Sequence, residues 1–487
     1  MNRFAKLCSS VDGHYRTYIN LYKNTFPFMT KPIDTFILKM EKAGLSSLVI
    51  DTFCHYYQQL ETGETGFLCG NDIQPVSPED LPDAAGLEAY SDAGHAAMKK
   101  TVAIILNGGL GTSMGLTQAK SLIPVKEGKS FLAIKLKQVE HCGAQLAFMN
   151  SYNTHQDTIS AVSALSPPFD PLYFIQNKFP KVLVSDLQPV QWPDNPELEW
   201  NPPGHGDIYT ALYSSGLLKN LLDSGIKYGF IANSDNLGAT LDEALLGFFA
   251  TRGHSLMMEV AKRTPSDLKG GHLARYKNGP LVLREIAQCP NNEIAAFQDI
   301  LRYRYFNTNN LWINLKYLKT LFDTNGHLYL PIIINPKTVD PKKTGSPEVY
   351  QIETAMGSAI SLFEGSTAVR VSEDRFLPVK KCQDLLSIRS DCYLLTKNNR
   401  LVLNPKRKMP PPKITLDPAY FSHLDDFNHR LQWSPSLVDC VSLNIVGNIY
   451  FHKNVTITGK VTITNPGDSP VTIPSGSKIH QDLVVKN

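Results

Sequence analysis

V-A-I-I-L-N-G-G-L-G-T-S-M-G-L-T-Q-A-K-S, residues 102–121, runs from a strand into a glycine-rich turn with a lysine behind it. The opening run is apolar and branched, which suits a strand buried on both faces. Gly108, Gly109, Gly111 and Gly115 follow, then Lys120. Without a Cβ, a glycine backbone turns tightly and comes close to a ligand. Amides in such a turn converge on an anion that a nearby lysine neutralises, and a nucleoside triphosphate uses both features. Two common phosphate loops do not fit. A Walker A loop places glycine before its Lys-Ser pair, whereas Ala119 precedes Lys120-Ser121. The dinucleotide fingerprint leaves two residues before its last glycine, and three separate Gly111 from Gly115. A glycine-rich turn without a ligand is the competing reading of this stretch alone.

From residue 101 to about 379, strands and helices alternate. Strands are expected at 102–106, 145–149, 181–183, 228–232, 255–260 and 281–286, with helices between several of them, such as 208–222. Alternation predicts a layered α/β sheet. Ligands of such sheets collect at the carboxyl ends of strands, where Gly108 and Asn233 stand. The first hundred residues read as helical, with apolar spacings of three and four over 33–59 interrupted near Gly44, then a proline-rich loop over 73–83.

At 487 residues the chain exceeds one ordinary core, so two or three domains are expected. A hydrophobic content of 42% is that of a globular protein, and no apolar run reaches the length of a membrane span. The N-terminal M-N-R-F-A-K-L-C-S-S lacks the apolar core of a secretory signal. A net charge of +3 gives no reason to expect nucleic-acid binding. The compact basic cluster Lys406, Arg407 and Lys408, inside N-P-K-R-K-M-P-P-P, reads as a solvated linker, with a partner site as the alternative. Eight scattered cysteines form no C-x-x-C pair, so free thiols in a reducing compartment are expected, and neither they nor the histidines have zinc-ligand spacing.

The tail has another period. Leu443, Ile449, Val455, Val461, Ile473, Ile479 and Val485 lie on one six-residue ladder, broken at Gly467, and Ile445, Phe451, Ile457 and Ile463 lie on a second. Six is the repeat of a parallel β-helix; an ordinary β-meander is the alternative.

Four further motifs carry chemistry. N-P-P-G-H-G-D, residues 201–207, bends the backbone around His205. A-N-S-D-N-L-G-A, residues 232–239, puts Asp235 after a strand, as a hard oxygen ligand for Mg²⁺ or as a turn or helix cap. Gly271, Glu285, Asn307 and Asn309 offer acceptors and donors suited to sugar hydroxyls, although N-T-N-N alone also reads as a turn. Arg375-Phe-Leu-Pro-Val-Lys380 fixes a cation after a proline.

In this order the motifs resemble the eukaryotic UDP-glucose pyrophosphorylases over essentially the whole chain. Q-N-K-F-P from Gln176 belongs to the match, and N-P-K-T-V-D-P (335–341) and G-G-H-L-A (270–274) look like the trypanosomatid form. The usual proline before the lysine of the glycine loop is Ala119 here. The resemblance implies an N-terminal helical region (1–95), a Rossmann-like α/β nucleotidyltransferase domain with a mixed sheet (96–385), a linker (386–412) and a C-terminal parallel, left-handed β-helix (413–487). It implies reversible transfer of UMP from UTP to α-D-glucose 1-phosphate with Mg²⁺ as cofactor; a pyrophosphorylase for N-acetylhexosamines or for many UDP-sugars is the runner-up. Leu106, Asn107, Gly108 and Gly109 would line the uridine site and Gln176 and Gly204 would read uracil. His205, Asn233 and Asp235 would lie near the phosphates, with Asp235 on the metal. Gly271, Glu285, Asn307 and Asn309 would hold glucose. Lys380 would act on the α-phosphate and Lys120 on the departing pyrophosphate. The expected partners are these small molecules, with no nucleic acid or membrane and a monomer preferred over a homo-oligomer. The expected location is the cytoplasm, with a glycosome-like organelle as the alternative, although V-V-K-N is not an S-K-L address.

Overall fold

The computed structural model describes residues 31–485 apart from Ser266 and Asn278. The helical reading of the first thirty residues, and Cys8, lie outside it. Two compact units emerge. One gathers the described part of Met1–Glu64 with Lys178–Asn201 and Ile334–Ile352; the other holds Thr65–Asn177, Pro202–Ile333 and Glu353–Asn487.

In the smaller unit two helices, Pro32–Lys42 and Ser47–Glu61, flank the expected break, where Gly44 takes φ +73°. Their apolar faces meet in an aromatic cluster, with Phe36 5.1 Å from Phe53 and Phe53 5.3 Å from Phe179 between ring centres. The strand expected at 181–183 forms as Val182–Leu183 but pairs with Tyr350 and Val349 in this unit. It is therefore no part of the central sheet; its three-residue apolar signal did not specify a partner.

The larger unit is built on a ten-stranded mixed sheet. Its strands are β1 (Ile73–Pro75), β2 (Thr101–Leu106), β3 (Gln145–Asn150), β4 (Leu172–Ile175), β5 (Tyr228–Asn233), β6 (Leu256–Lys262), β7 (His272–Tyr276), β8 (Leu281–Arg284), β9 (Tyr305–Asn314) and β10 (Thr367–Arg370). Their order is β1-β7-β9-β5-β2-β3-β4, with β6 on β9 and β10, and β8 on β7. β5, β2, β3 and β4 run parallel, and β9 is antiparallel to β5 and β6. The parallel run is covered by helices, as its continuous apolar sequences require; Leu132, Leu136 and Val139 of the helix Phe131–Cys142 share one core with Ala103, Ile105, Phe148 and Phe230. The helix expected over 208–222 is two, Ile208–Ser214 and Leu217–Asp223, because Gly216 turns left-handed at φ +77°. Residues 281–286 make a shorter strand, since Glu285 opens a 3₁₀ turn.

The tail forms three small sheets whose pairings are all parallel, with Leu443 beside Val461, Phe451 beside Ile473 and Ile457 beside Ile479. The ladder residues are buried, apart from Val485, which is half-buried. The basic cluster departs from its solvated reading at Arg407, which is buried and donates to the carbonyls of Leu437, Val438 and Cys440, each at 2.9 Å. The segment before it carries a hairpin, Tyr393–Leu395 on Leu401–Leu403. The described cysteines are all free thiols, and no described helix is long and apolar enough to cross a membrane.

Candidate active site

β2 and β5 end side by side, with Leu106 opposite Asn233. The glycine loop and the turn through Asp235 therefore leave the same sheet edge, and Ser234 N–H donates to the Leu106 carbonyl at 3.0 Å. Gly111 and Gly115 adopt φ +65° and +75° around a 3₁₀ turn, a conformation that side chains resist. Gly109 is exposed and a Cβ on it would meet nothing. Asn107 is buried, and its amide is engaged by Asn150 and Thr158, both at 2.8 Å, so this side chain anchors the loop rather than facing a cleft.

Three charged groups converge beside that loop. Asp235 Oδ2 accepts from Lys120 Nζ at 2.6 Å and from Lys380 Nζ at 3.0 Å. Burial opposes ionisation of Asp235, and the Lys380 and Lys120 cations overcome it, holding the carboxyl below its ordinary range. The Lys120 side chain is nearly covered, whereas that of Lys380 is 57% exposed. Among the described residues Asp235 Oδ1 is buried without a partner, and no three His, Cys, Asp or Glu side chains are gathered into a metal site. The donor set thus fits a hard cation taking one carboxylate oxygen here and completing its shell with phosphate and water, as Mg²⁺ does.

A second corner forms from Gly108, Gln176 and Gly204. Gln176 Nε2 donates to the Gly204 carbonyl at 2.8 Å, and its Oε1 lies against Gly108, 3.2 Å from where a Cβ would be. Gly204 has φ +76°, and a Cβ there would collide with the Thr354 carbonyl. Beneath it Asp207 is buried and accepts from Asn177 N at 2.7 Å and Nδ2 at 2.9 Å. Burial pushes its carboxyl up, the Asn177 donors restraining the rise, to about 7. His205 Nδ1 accepts from Met356 N–H at 3.0 Å, which leaves the ring proton on Nε2. Burial and then the Lys380 cation push this imidazole down to about 4.

The third group adjoins both. Gly357, next to Met356, is so close to Asn307 that a Cβ would lie 2.8 Å from its Nδ2. Asn307 N–H donates to the Gly271 carbonyl at 3.0 Å, and a Cβ on Gly271 would reach 2.5 Å from a Glu285 carboxylate oxygen. Burial pushes the Glu285 carboxyl up to about 7. Asn307 and Asn309 bond each other at 2.8 and 2.9 Å. The N-T-N-N segment is not a free turn. It is an irregularity inside β9, where the pairing with β6 shifts and Asn309 takes φ +59°; such a bulge re-aims side chains out of the sheet. Sequence reasoning assigned no role to Asp207, Asn177, Asn236 or Glu259. A lone carboxylate in the apolar run of β6 was the one legible signal, for Glu259.

The model of the UTP--glucose-1-phosphate uridylyltransferase family matches residues 50–458. The UTP--glucose-1-phosphate uridylyltransferase of Solanum tuberosum is 40% identical over 391 residues, 78% of this chain and 80% of that protein. That of Saccharomyces cerevisiae is 39% identical over 398 residues, 80% of this chain and 79% of that protein. Among solved structures, the UDP-glucose pyrophosphorylase of Leishmania major superposes with a TM-score of 0.86 at 41% identity, covering 93% of this chain and 100% of that one. A variant of it in complex with UDP-glucose superposes with a TM-score of 0.86 at 40% identity, covering 93% and 100%. With a glycine loop, paired lysines and a matching profile along most of its length, the chain belongs to the UTP--glucose-1-phosphate uridylyltransferase family.

Proposed function

We propose that the enzyme transfers UMP reversibly from UTP to α-D-glucose 1-phosphate. A phosphate oxygen of the sugar phosphate attacks the α-phosphorus in line, the α–β bridging bond breaks, and pyrophosphate leaves. The observation that carries this reading is the convergence of Lys120 and Lys380 on Asp235 beside the glycine loop. The nucleophile is already an anion, so no general base is needed. What the reaction demands is positioning and tolerance of negative charge. In this reading the two lysines exchange their shared carboxylate for phosphate oxygens when the substrates arrive. The exposed Lys380 turns to the α-phosphate, and the covered Lys120 stays near the departing pyrophosphate.

Asp235 Oδ1 would hold Mg²⁺, which when bound supplies Lewis-acid neutralisation of phosphate oxygens. Gln176, braced on the Gly204 carbonyl, would meet the uracil edge with an amide that matches its donor and acceptor, an edge that cytosine presents with opposite polarity. Glu285, titrating near neutrality, and the Asn307–Asn309 pair would bond glucose hydroxyls. For the tail, the all-parallel pairing and the inward six-residue ladders favour the β-helical coil over a meander, whose neighbours would be antiparallel.

The test is a panel of UTP and Mg²⁺ with glucose, galactose and N-acetylglucosamine 1-phosphates, following pyrophosphate release. Fast release with glucose 1-phosphate is expected. Preference for N-acetylglucosamine 1-phosphate, or equal rates across the panel, transfers the assignment to the runner-up, and no release with any sugar ends the uridylyltransferase reading.

A further inference from the structure

Lys380 is more than half exposed, yet the segment that carries it is bonded to the core at Arg375, Leu377 and Val379. Its hold starts at Glu259, a carboxylate with no exposed surface in the apolar run of β6. Glu259 Oε2 accepts from Arg375 Nε at 2.7 Å and Asn310 Nδ2 at 3.0 Å. Its Oε1 accepts from Arg375 Nη2 at 2.6 Å and Trp312 Nε1 at 2.9 Å. The lone pairs of the carboxylate are thereby saturated, and the forked contact fixes the guanidinium plane as well as its distance. Arg375 Nη2 also donates to the Thr240 carbonyl at 2.9 Å.

From this buried pair the backbone is tied stepwise to the turn that bears Asp235. The Arg375 carbonyl accepts from Asn236 Nδ2 at 3.1 Å and Asn310 Nδ2 at 3.2 Å. Leu377 N–H donates to Asn236 Oδ1 at 2.8 Å, and Val379 N–H to the Asp235 carbonyl at 3.2 Å. Gly238 lies so near that a Cβ would collide with the Asp374 carbonyl. Lys380 follows directly.

A buried ion pair is a poor source of stability, because desolvation offsets most of the Coulombic gain. What a saturated, forked pair supplies is a single placement. We infer that Glu259 and Arg375 are positioning residues for Lys380: the pair fixes where the 375–380 segment leaves the core, and so delivers the ammonium to the phosphate site. The inference rests on the reading of Lys380 as a catalytic group, and misplacement of about 1 Å costs such a group up to about 100-fold in rate.

The experiment is a double-mutant cycle on the full chain, with Glu259→Gln, Arg375→Lys and Lys380→Ala singly and each positioning substitution combined with Lys380→Ala. Glu259→Gln keeps the shape and removes the charge; Arg375→Lys keeps the charge and removes the fork. Folding is checked by thermal unfolding, and UTP affinity by calorimetry. Expected is a fall in kcat of about 10- to 100-fold in either folded single variant, with KM for UTP within about twofold, and a change under about twofold when the same substitution is made on Lys380→Ala. An equal fall in both backgrounds, or a normal kcat in a folded single variant, overturns the positioning role. A normal kcat in Lys380→Ala alone sinks the catalytic reading of Lys380 itself, and the positioning role with it. If Glu259→Gln does not fold, Arg375→Lys carries the same comparison.

Discussion

Two carboxylates of one site sit under opposite electrostatic regimes. Asp235 is buried between two ammonium groups that keep it ionised. Asp207 is equally withdrawn from water, but it accepts hydrogen bonds from Asn177 N–H and Nδ2 rather than from a cation, and it rises to about 7. The difference separates the labour. In the proposed reaction the Asp235 end supplies the positive charge that incoming phosphates take over. Among the described residues no salt bridge reaches Asp207, and it holds Asn177, next to Gln176, in place by hydrogen bonds.

The largest test of the contrast is Lys380→Ala. Removing one electrostatic group from a phosphoryl-transfer site lowers kcat by roughly 10²- to 10³-fold. Its side chain is 57% exposed, so the fold is expected to survive, with an unchanged unfolding midpoint. A near-normal kcat would erase the difference between the two ends. Next comes Gly109→Val. The position is open, so the substitution leaves the loop folded but fills the approach to the backbone. UTP affinity measured calorimetrically is expected to fall at least about tenfold, about 1.4 kcal/mol; unaltered affinity would place the nucleotide elsewhere.

Local signals exposed one end of the site better than the other. The strand-to-glycine step at Leu106, the acid after β5 and the lysine after Pro378 are all short-range patterns, and the structure brings Lys120, Asp235 and Lys380 together. The six-residue ladders of the tail were equally readable, because a period needs no knowledge of partners. What stayed hidden depends on pairing across long separations. Glu259 meets Arg375 only because β6, β9 and the 375–380 segment are neighbours in space. Likewise 178–201 reads as part of an alternating pattern but clusters with the N-terminal helices. N-T-N-N, residues 307–310, reads alone as a turn, and the register shift of β9 shows a bulge there instead. Arg407 looks like a solvated charge by composition alone, yet is buried beneath carbonyls that lie thirty or more residues onward.

The Asp207 end is tested through pH. A carboxyl raised from 3.8 to about 7 binds a proton in the folded state that the unfolded chain has released. Its contribution to stability is therefore full below about pH 4 and is lost as pH rises through about 7, at up to about 1.4 kcal/mol per pH unit. Asp207→Asn is expected to remove this slope. Urea midpoints at pH 5 and 7.5 should differ more in the parent protein than in the variant, and identical differences would show that Asp207 ionises freely.

His205 gives the smallest and sharpest test, because it lies between the two regimes. Its Nδ1 is engaged by Met356 N–H, and burial with the Lys380 charge holds it near 4, below the ordinary 6.5. A depressed imidazole contributes stability that is fully present above pH 6.5 and is lost as pH falls toward 4. The ring is thus neutral at neutral pH, and with Nδ1 engaged it donates from Nε2. His205→Gln is expected to scale kcat without moving any inflection of its pH profile between 6 and 8. The stability difference between parent and variant should change only below pH 6.5. An inflection near 6.5 that disappears in His205→Gln would mean that the imidazole titrates in the working range. Neither burial nor the Lys380 charge would then hold it down, and the electrostatic contrast between the two ends would be lost at the residue that joins them.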